Sequence, residues 1–553
     1  MQKVVTAAEM RELDRQTSEK YGISSIILME NAAHAAARVI IEVLGGCASD
    51  KSILVLCGPG NNGGDGAAAA RILWQEGADV EVCLFGRVSE TSGDARTNLE
   101  ILERISNAEG LELTQSDLAF EEITSLDEWL EYDSVNFHCD DPDVIVDALF
   151  GTGLKRPLEG ICEQVTAYID AFSENRDASE TLVISLDLPS GLEADNPLRI
   201  GLCARANQTV TFTAPKPANV LPPASTFNGG LHVAHIGTPC ELIAQTRSQL
   251  YLAEIQDAID WLARTEFSSD SYKNLRGHAM IIAGSSSYTG AAVLCGNSAI
   301  RSGVGLVTLA VPESSHTSIA SRVSPEVIVR PVSATTRGTI GEKAYDELSG
   351  LFDGVDVVAI GSGLSSGDIS TKKFVTKVVE NRQTPVVIDA DGLNALSPFK
   401  LKGSVERPLI LTPHEGEFCR LLGLKGKEKV EDRVEACRNF SVKHNVILLL
   451  KGERALISDP DGRVVINPTG NSGLGKAGNG DTLMGILAGF LAQAVKFHVD
   501  IFETVVAAVY IAGVAGDIAE EKYGRRVMTA SDVRESLTEA IDRIQVCENY
   551  EGQ

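Results

Sequence analysis

Three short segments place oxygen-bearing side chains where an apolar run gives way to a turn. GPGNNGGDG (58–66) carries Asn61, Asn62 and Asp65. DALFGTGLKRPLEG (147–160) opens with Asp147 and runs through Gly151 and Gly153 to Lys155 and Arg156, and SLDLPSG (185–191) carries Asp187 and Ser190. Oxygens at three strand ends of one sheet can share a monovalent cation and a phosphate-bearing ligand, leaving one carboxylate for proton transfer. Glycines there let backbone N–H groups approach a ligand, and the N-terminus of the following helix favours anions. The first segment lacks the lysine of a P-loop and the register of GxGxxG, so neither standard nucleotide motif is met. A tight turn with a capping Asp accounts for that segment taken alone.

A second set lies further along the chain. VVIDADGLNAL (386–396) ends an apolar run with Asp389, Asp391 and Asn394, donors suited to an Mg²⁺-bound phosphate. TPHEGEF (412–418) and LLLKG (448–452) close two more runs. In NPTGNSGLGKAGNGDTLMGILAGFLAQ (467–493) a glycine-rich loop enters a long apolar helix, with Gly478, Asn479, Gly480 and Asp481 at the junction. N–H groups there can stabilise developing phosphate charge while Asp481 takes a proton from an attacking hydroxyl, which is phosphoryl transfer by positioning. Helix capping by the acids and close helix packing by the glycines are the competing readings of each segment singly.

Both sets need sheets to hold them. Apolar, β-branched runs bounded by glycine or proline recur between helix-like stretches: KSILVLCG, ADVEVCLFG, DVIVDALFG, TLVISLDLPSG and QTVTFTAPKP, then HAMIIAGSS, VGLVTLAVP, VDVVAIGSG, TPVVIDADG, RPLILTPHEGE and NVILLLKG. The pattern predicts parallel strands in two consecutive three-layer α/β domains, with ligands gathered at the carboxyl ends of the strands. The domains are placed at 1–245 and 276–545. Residues 246–275 are expected as a linker region of helix-like spacing followed by a polar loop. EEITSLDEWLEYDSVNFHCDD (121–141) is rich in acids and reads as a solvated excursion between strands.

The 553 residues suit more than one domain, and 44% hydrophobic with 23% charged residues is the balance of a globular chain. A net charge of −27 argues against sequence-blind binding to nucleic acid or an anionic membrane and toward small-molecule partners. Eleven cysteines at scattered spacings suggest neither a disulfide framework nor a zinc site. His232 and His235 lie three apart in a strand-like stretch and so face opposite sides, which argues against a ligand pair. The charged N-terminal residues lack a signal-peptide core, and no run reaches about 18 uninterrupted apolar residues. The expectation is a cytoplasmic protein without a membrane span.

CGPGNNGGDG, DALFGTG and DLPSG, with MENAAHAAA at 29–37, resemble the N-terminal epimerase domain of the bifunctional NAD(P)H-hydrate repair enzymes over residues 1–240. GSSSYTGAAVL, AIGSGL, VVIDADGLNAL, TPHEGE, KG and GNGD, in that order, resemble the ADP- or ATP-dependent NAD(P)H-hydrate dehydratase of the ribokinase-like superfamily over residues 270–545. The resemblance implies a Rossmann-like first domain and a ribokinase-like second. It implies that Asn61, Asn62, Gly63, Gly64 and Asp65, with Gly151, Thr152, Gly153, Leu154, Lys155, Arg156 and Pro157, bind the hydrated dinucleotide. Asn62, Asp147 and Ser190 would hold K⁺, and Asp187 would contact substrate as the acid/base. In the second domain it assigns Ala291, Gly363, His414 and the catalytic Asp481 to the hydrate. Lys451, Gly452, Glu453, Arg454, Ala455 and Gly480 would hold the adenine nucleotide.

The activity implied is metabolite repair. R and S hydrates of NADH and NADPH (NADHX and NADPHX) are interconverted, and the S form is phosphorylated from ADP, or ATP, before losing phosphate. K⁺ and Mg²⁺ are the implied cofactors and a homo-oligomer the expected assembly. Two positions depart from the family's usual pattern, GNGD for GTGD and Ala455 for a threonine. Both leave the catalytic carboxylate in place and bear on nucleotide preference and rate. The competing reading is a ribokinase-like vitamin or sugar kinase fused to a non-catalytic dinucleotide-binding module.

Overall fold

The computed structural model describes residues 1–107, 117–135, 142–174, 181–426 and 428–551. The chain divides into two compact units, Lys3–Ser248 and Gln249–Gln553, the latter including the first two residues.

In the first unit the apolar runs become one seven-stranded parallel sheet. Its order is Leu118–Ile123, Asp79–Phe85, Ser52–Cys57, Val144–Ala148, Leu182–Leu186, Gln208–Phe212, Gly230–Ala234. The chain builds outward in one direction, returns to the middle and builds outward in the other. This is the Rossmann order, with its switch point between Ser52–Cys57 and Val144–Ala148. Side chains alternate between two helical layers because a strand repeats every two residues. Ile53 and Val55 pack with Ala67 to Ala70 of helix Asn61–Gln75 and with Leu28 and Ala36 of helix Ser25–Val43. Leu54 and Leu56 join Val165 and Ile169 of helix Ile161–Glu174 on the opposite face.

The acidic stretch after residue 120, expected as a solvated excursion, instead ends the edge strand Leu118–Ile123 and forms helix Leu126–Val135. Trp129 and Tyr132 are buried, and Trp129 meets Phe85 at 5.4 Å and Tyr168 at 5.3 Å edge-on. Two aromatic anchors outweigh the surrounding charge. Residues 136–141 of that stretch lie outside the described residues.

The second unit is built on an eleven-stranded mixed sheet. Inward from an edge at Gln2–Lys3 the order is Leu250–Leu252, Val464–Ile466, Leu456–Ser458, Ile447–Leu450, Leu409–Leu411, Val386–Ile388, Val357–Ile360, His278–Ile282, Leu306–Pro312, Ile328–Val332. Pairing is parallel from Ile447–Leu450 to Ile328–Val332, and two antiparallel pairings extend the sheet the other way. Gln249 onward belongs to this unit, so most of 246–275 is not the linker the sequence suggested. Leu250–Leu252 pairs in parallel with Val464–Ile466, and Trp261 of helix Ile255–Arg264 stacks on Phe490 at 4.2 Å. The helical spacing there marks a core helix.

Helices Thr289–Arg301 and Asn479–Phe497 approach closely because glycines line their contact. A Cβ on Gly485 would stand 2.3 Å from the Cys295 carbonyl oxygen, and one on Gly489 would stand 2.9 Å from that of Ala299. Among the described residues, Ile501–Tyr523 is the one helix long and apolar enough to cross a membrane. Its apolar window is 72% buried inside the protein, as in a core helix.

Candidate active sites

The first unit's candidate site lies at its switch point. The helix after Ser52–Cys57 starts at Asn61, earlier than the alanine run suggests, so Asn61, Asn62, Gly63, Gly64 and Asp65 form its first turns rather than a loop. Most of the glycines serve close packing. A Cβ on Gly58 would lie 2.0 Å from the Leu149 carbonyl oxygen, and one on Gly63 would lie 1.8 Å from that of Gly58. One on Gly64 would meet Ala95 Cα at 2.7 Å. The bare backbone seats the helix against its neighbours and so sinks Asn62 into the interior. Both polar atoms of the Asn62 amide are buried without a hydrogen-bond partner, at a cost of about 1–3 kcal/mol for each unsatisfied group.

Asp147, at the end of Val144–Ala148, is fully buried. Its carboxylate accepts from Ser190 N at 2.8 Å, Ser190 Oγ at 2.5 Å and Ser185 Oγ at 2.9 Å. Burial raises its pKa against these bonds, and no basic side chain opposes that among the described residues.

Asp187 follows Leu182–Leu186 at φ 62°, a left-handed conformation that costs a non-glycine residue on the order of 1 kcal/mol or more. Its Oδ1 accepts from Lys216 Nζ at 2.5 Å and from Thr211 Oγ1 at 3.1 Å. Its Oδ2 faces Gly151, where a Cβ would stand 2.9 Å from Asp187 Oδ2 and 3.4 Å from Asn62 Oδ1. The missing side chain of Gly151 leaves the space on which these two oxygens converge. Two further carboxyl groups interact with this cluster. Burial, and then Asp187, drive the Asp65 carboxyl well above the ordinary range. Burial pushes Asp14, on helix Ala7–Tyr21, up to about 6, with Lys216 opposing and Asp187 adding to the shift. In the segment after Gly151, Lys155 pairs with Asp195 at 3.2 Å and Leu154 is buried, while Gly153, Arg156 and Pro157 are exposed and Thr152 is half-buried.

Lys216, Thr211 and Asp14 escape the sequence reading. TAPKP reads as the tail of a strand, and nothing in its spacing marks a buried lysine. Asp14 carries a usable signal, since it lies four residues after Met10 on the stripe that buries Met10, Leu13 and Thr17.

The second unit's candidate site lies at the N-terminus of helix Asn479–Phe497. Gly478 caps it at φ 95°, and Leu294 Cδ1 stands 2.8 Å from where a Cβ would be, so conformation and space both call for glycine. Asp481 lies in the first turn, with Ser362 among the groups acting on its carboxyl. Burial raises its pKa, with Asp389 adding and Ser362 and Lys451 opposing. Lys451 Nζ donates to Asp389 Oδ1 at 2.6 Å. That ion pair faces Gly480, where a Cβ would stand 3.5 Å from Lys451 Nζ and 3.7 Å from Asp389 Oδ2.

Asp391 and Asn394 do not join it. The turn after Val386–Ile388 becomes helix Ala390–Ala395, which fans the three expected donors to different sides. Asp391 accepts from Ser365 N at 2.9 Å and from Ser366 N at 3.1 Å, and Asn394 Oδ1 accepts from Arg420 Nε at 2.8 Å. Of the DADGLN donors only Asp389 faces the helix terminus.

Ala291 and Gly363 are brought together, since a Cβ on Gly363 would stand 2.9 Å from that of Ala291. His414 is exposed and caps helix Glu415–Leu422, its Nδ1 accepting from Gly416 N at 3.0 Å, while its backbone bridges to Lys451. Beyond Lys451, Gly452 leaves room for Arg433, whose Nη1 donates to the Glu453 carbonyl at 3.2 Å. Arg454 donates to the Pro468 carbonyl, and the Ala455 carbonyl accepts from Asn467 N at 2.9 Å. Among the described residues no group of three or more His, Cys, Asp or Glu side chains is placed to hold a metal ion, and His232 Nε2 instead lies 3.0 Å from Gln208 Oε1.

Known proteins resemble the chain along its whole length. Residues 25–218 match the family described as YjeF-related protein N-terminus, and residues 279–539 match the family described as NAD(P)H-hydrate dehydratase. A Moorella thermoacetica protein named bifunctional NAD(P)H-hydrate repair enzyme Nnr is 39% identical, over 97% of this chain and 96% of its own. A Thermofilum pendens protein of the same name is 35% identical, over 100% and 98%. The crystal structure of an ADP/ATP-dependent NAD(P)H-hydrate dehydratase from Bacillus subtilis, co-crystallised with ATP and Mg²⁺, is 29% identical. It covers 53% of this chain and 98% of its own, with a TM-score of 0.44.

Proposed function

The chain belongs to the family of bifunctional NAD(P)H-hydrate repair enzymes, and we propose that its first unit interconverts the R and S hydrates of NADH and NADPH. Its second unit dehydrates the S form at the expense of ADP or ATP. Family matches in both units favour this reading over a small-molecule kinase fused to a non-catalytic module.

In such a hydrate the hydroxyl sits on the carbon beside the ring nitrogen, whose lone pair can expel it. Inversion requires the hydroxyl to leave protonated, as water, and water to return to the other face while giving up a proton. One carboxyl group that holds and releases a proton serves both steps. The observation that carries the assignment is the division of labour in Asp187, with Oδ1 held by Lys216 and Thr211 and Oδ2 turned toward Gly151 and Asn62. Residues 61–65 and 151–157 would flank the dinucleotide, with the N-terminus of helix Asn61–Gln75 toward phosphate.

The remaining donors fit K⁺. Asn62 offers an orphaned carbonyl oxygen, Ser190 a hydroxyl and Asp147 a buried carboxylate, an all-oxygen set suited to a hard cation. Bound there, K⁺ would supply the positive charge that Asp147 lacks. The DADGLN residues do not fit Mg²⁺, because Asp391 and Asn394 are engaged elsewhere and Asp389 is paired with Lys451.

In the second unit Asp481 would take the proton of the hydrate's hydroxyl as its oxygen attacks the terminal phosphorus of the nucleotide. The first amides of helix Asn479–Phe497 and Lys451 Nζ would face the transferring phosphoryl group. Phosphate then leaves with the C–O electron pair, the neighbouring carbon loses a proton, and the ring double bond re-forms. Phosphate leaves far more readily than hydroxide, which is what the nucleotide contributes. The test is full-length protein with separated R or S hydrate and ADP, ATP or neither, following the absorbance of the reduced nicotinamide. The S form should recover only with nucleotide, and failure to recover under any of these conditions would contradict the reading.

A further inference from the structure

We infer that Lys216 is a positioning residue of the epimerase site, holding Asp187 by Oδ1 so that Oδ2 alone exchanges protons with the hydrate. The inference rests on the reading of Asp187 as the proton-transfer group.

Lys216 is only 1% exposed. An ammonium group has three N–H donors and no acceptor, and here all three have partners. Nζ donates to Asp187 Oδ1 at 2.5 Å, Thr211 Oγ1 at 2.9 Å and the Phe212 carbonyl at 3.1 Å. No donor is left for a substrate, so the lysine acts through Asp187. The tripod is rigidly mounted, since two of its three acceptors belong to strand Gln208–Phe212. Its backbone is tied to the same carboxylate residue. Lys216 N donates to Asn219 Oδ1 at 2.8 Å, and Asn219 Nδ2 donates to the Asp187 carbonyl at 3.2 Å. Asp187 is thus gripped at its side chain and at its backbone, which is how a left-handed aspartate persists at this strand end.

Charge points the same way. Three carboxyl groups from three elements interact with this one cation: Asp187 by direct contact, Asp14 from helix Ala7–Tyr21 and Asp65 from helix Asn61–Gln75. The contact gives the cation to Asp187. The two carboxyl groups without such a contact are the ones shifted toward holding their protons.

Two substitutions with opposite steric and electrostatic character test this. Lys216→Met keeps the length and removes the charge, whereas Lys216→Arg keeps the charge and adds bulk. Lys216→Met should lower the kcat of R-to-S conversion by about 10² or more, in the range of a disabled proton transfer, with KM for the hydrate within about threefold of the parent. Lys216→Arg should recover at least about tenfold of that loss although it packs worse. A lysine that merely fills space gives the reverse order, Met faster than Arg, and that order overturns the inference. So does a Met variant within about threefold of the parental rate. Should Lys216→Met fail to fold, as read by thermal unfolding, Lys216→Arg decides alone, and conversion no faster than that of Asp187→Asn overturns the inference. Asp187→Asn made in parallel separates the two claims. Parental conversion in that variant removes the reading of Asp187 itself, whereas an inactive Asp187→Asn beside a fully active Lys216→Met removes only the role of Lys216.

Discussion

Asp481 stands where a helix-capping acid and a catalytic base would look alike in sequence, and its surroundings separate the two. Asn caps a helix about as well as Asp, so a capping role makes Asp481→Asn nearly silent. A lost general base costs roughly 10² to 10⁴ in rate, and that is the expected fall in dehydration, with thermal unfolding near parental. Turnover within about threefold of the parent would contradict the assignment. Burial and Asp389 raise the Asp481 carboxyl, and a base works only when ionised. The dehydration rate should therefore fall with decreasing pH through a limb above the ordinary aspartate value of about 3.9, and a limb at or below that value would count against the geometry. Asp14 gives a prediction about stability. Its folded pKa of about 6 lies above the ordinary aspartate value of about 3.9, so the native state binds the proton more tightly. Stability contributed by that proton is present at low pH and is lost as pH rises from about 4 to 6. Asp14→Asn should therefore stabilise the first unit at pH 7.5 by on the order of 2 kcal/mol and have little effect at pH 4. An equal gap in unfolding temperature at both pH values would contradict this. Asn62, Asp147, Asp187 and Ser190 were legible in the sequence because strand ends announce themselves. Lys216 and Asp14 were not, because their roles depend on which distant groups they meet.

The glycines divide into those that bring elements together and those that open a site. Gly485 belongs to the first kind, since a Cβ would stand 2.3 Å from a backbone oxygen of the neighbouring helix. Gly485→Ala should destabilise the second unit by about 1–3 kcal/mol, as overpacking does, which thermal or denaturant unfolding would register. Gly480 belongs to the second kind, with nothing closer than 3.5 Å to a Cβ. Gly480→Ala should unfold near the parental temperature and show its effect in the KM for ADP or ATP. Equal destabilisation by both substitutions would refute the distinction. The apolar runs read from the sequence all proved to be strands, because each is long or apolar enough to mark itself. Leu250–Leu252, Leu456–Ser458 and Val464–Ile466 are three residues long, too short to show a period, and so are Val386–Ile388 and Leu409–Leu411, which the adjoining DADG and TPHEGE segments marked. Missing the first of them turned part of the second unit's sheet into a supposed linker. In GPGNNGGDG the sequence reading credited the glycines to a ligand, whereas Gly58, Gly63 and Gly64 face the protein's own backbone. Only the structure distinguishes backbone that makes room for a ligand from backbone that makes room for a neighbouring element.

One chain carries an epimerase-like unit and a dehydratase-like unit, each with its candidate site at the carboxyl ends of parallel strands. The proposed chemistries form a sequence in which the first unit supplies the S hydrate that the second consumes. The strongly acidic whole, at −27, does not impede anionic substrates, because helix N-termini and buried cations act locally where net charge does not. The central claim is that both steps occur in this polypeptide, and the most direct test starts from the isomer the second unit cannot use. Separated R hydrate is supplied with ADP or ATP, K⁺ and Mg²⁺, and nicotinamide absorbance is followed for the full-length protein and for Asp187→Asn. The account predicts complete recovery by the parent, and recovery by the variant no faster than spontaneous epimerisation allows, although the variant still restores S hydrate at the parental rate. Parental protein that leaves the R hydrate to spontaneous epimerisation while consuming the S form would contradict it.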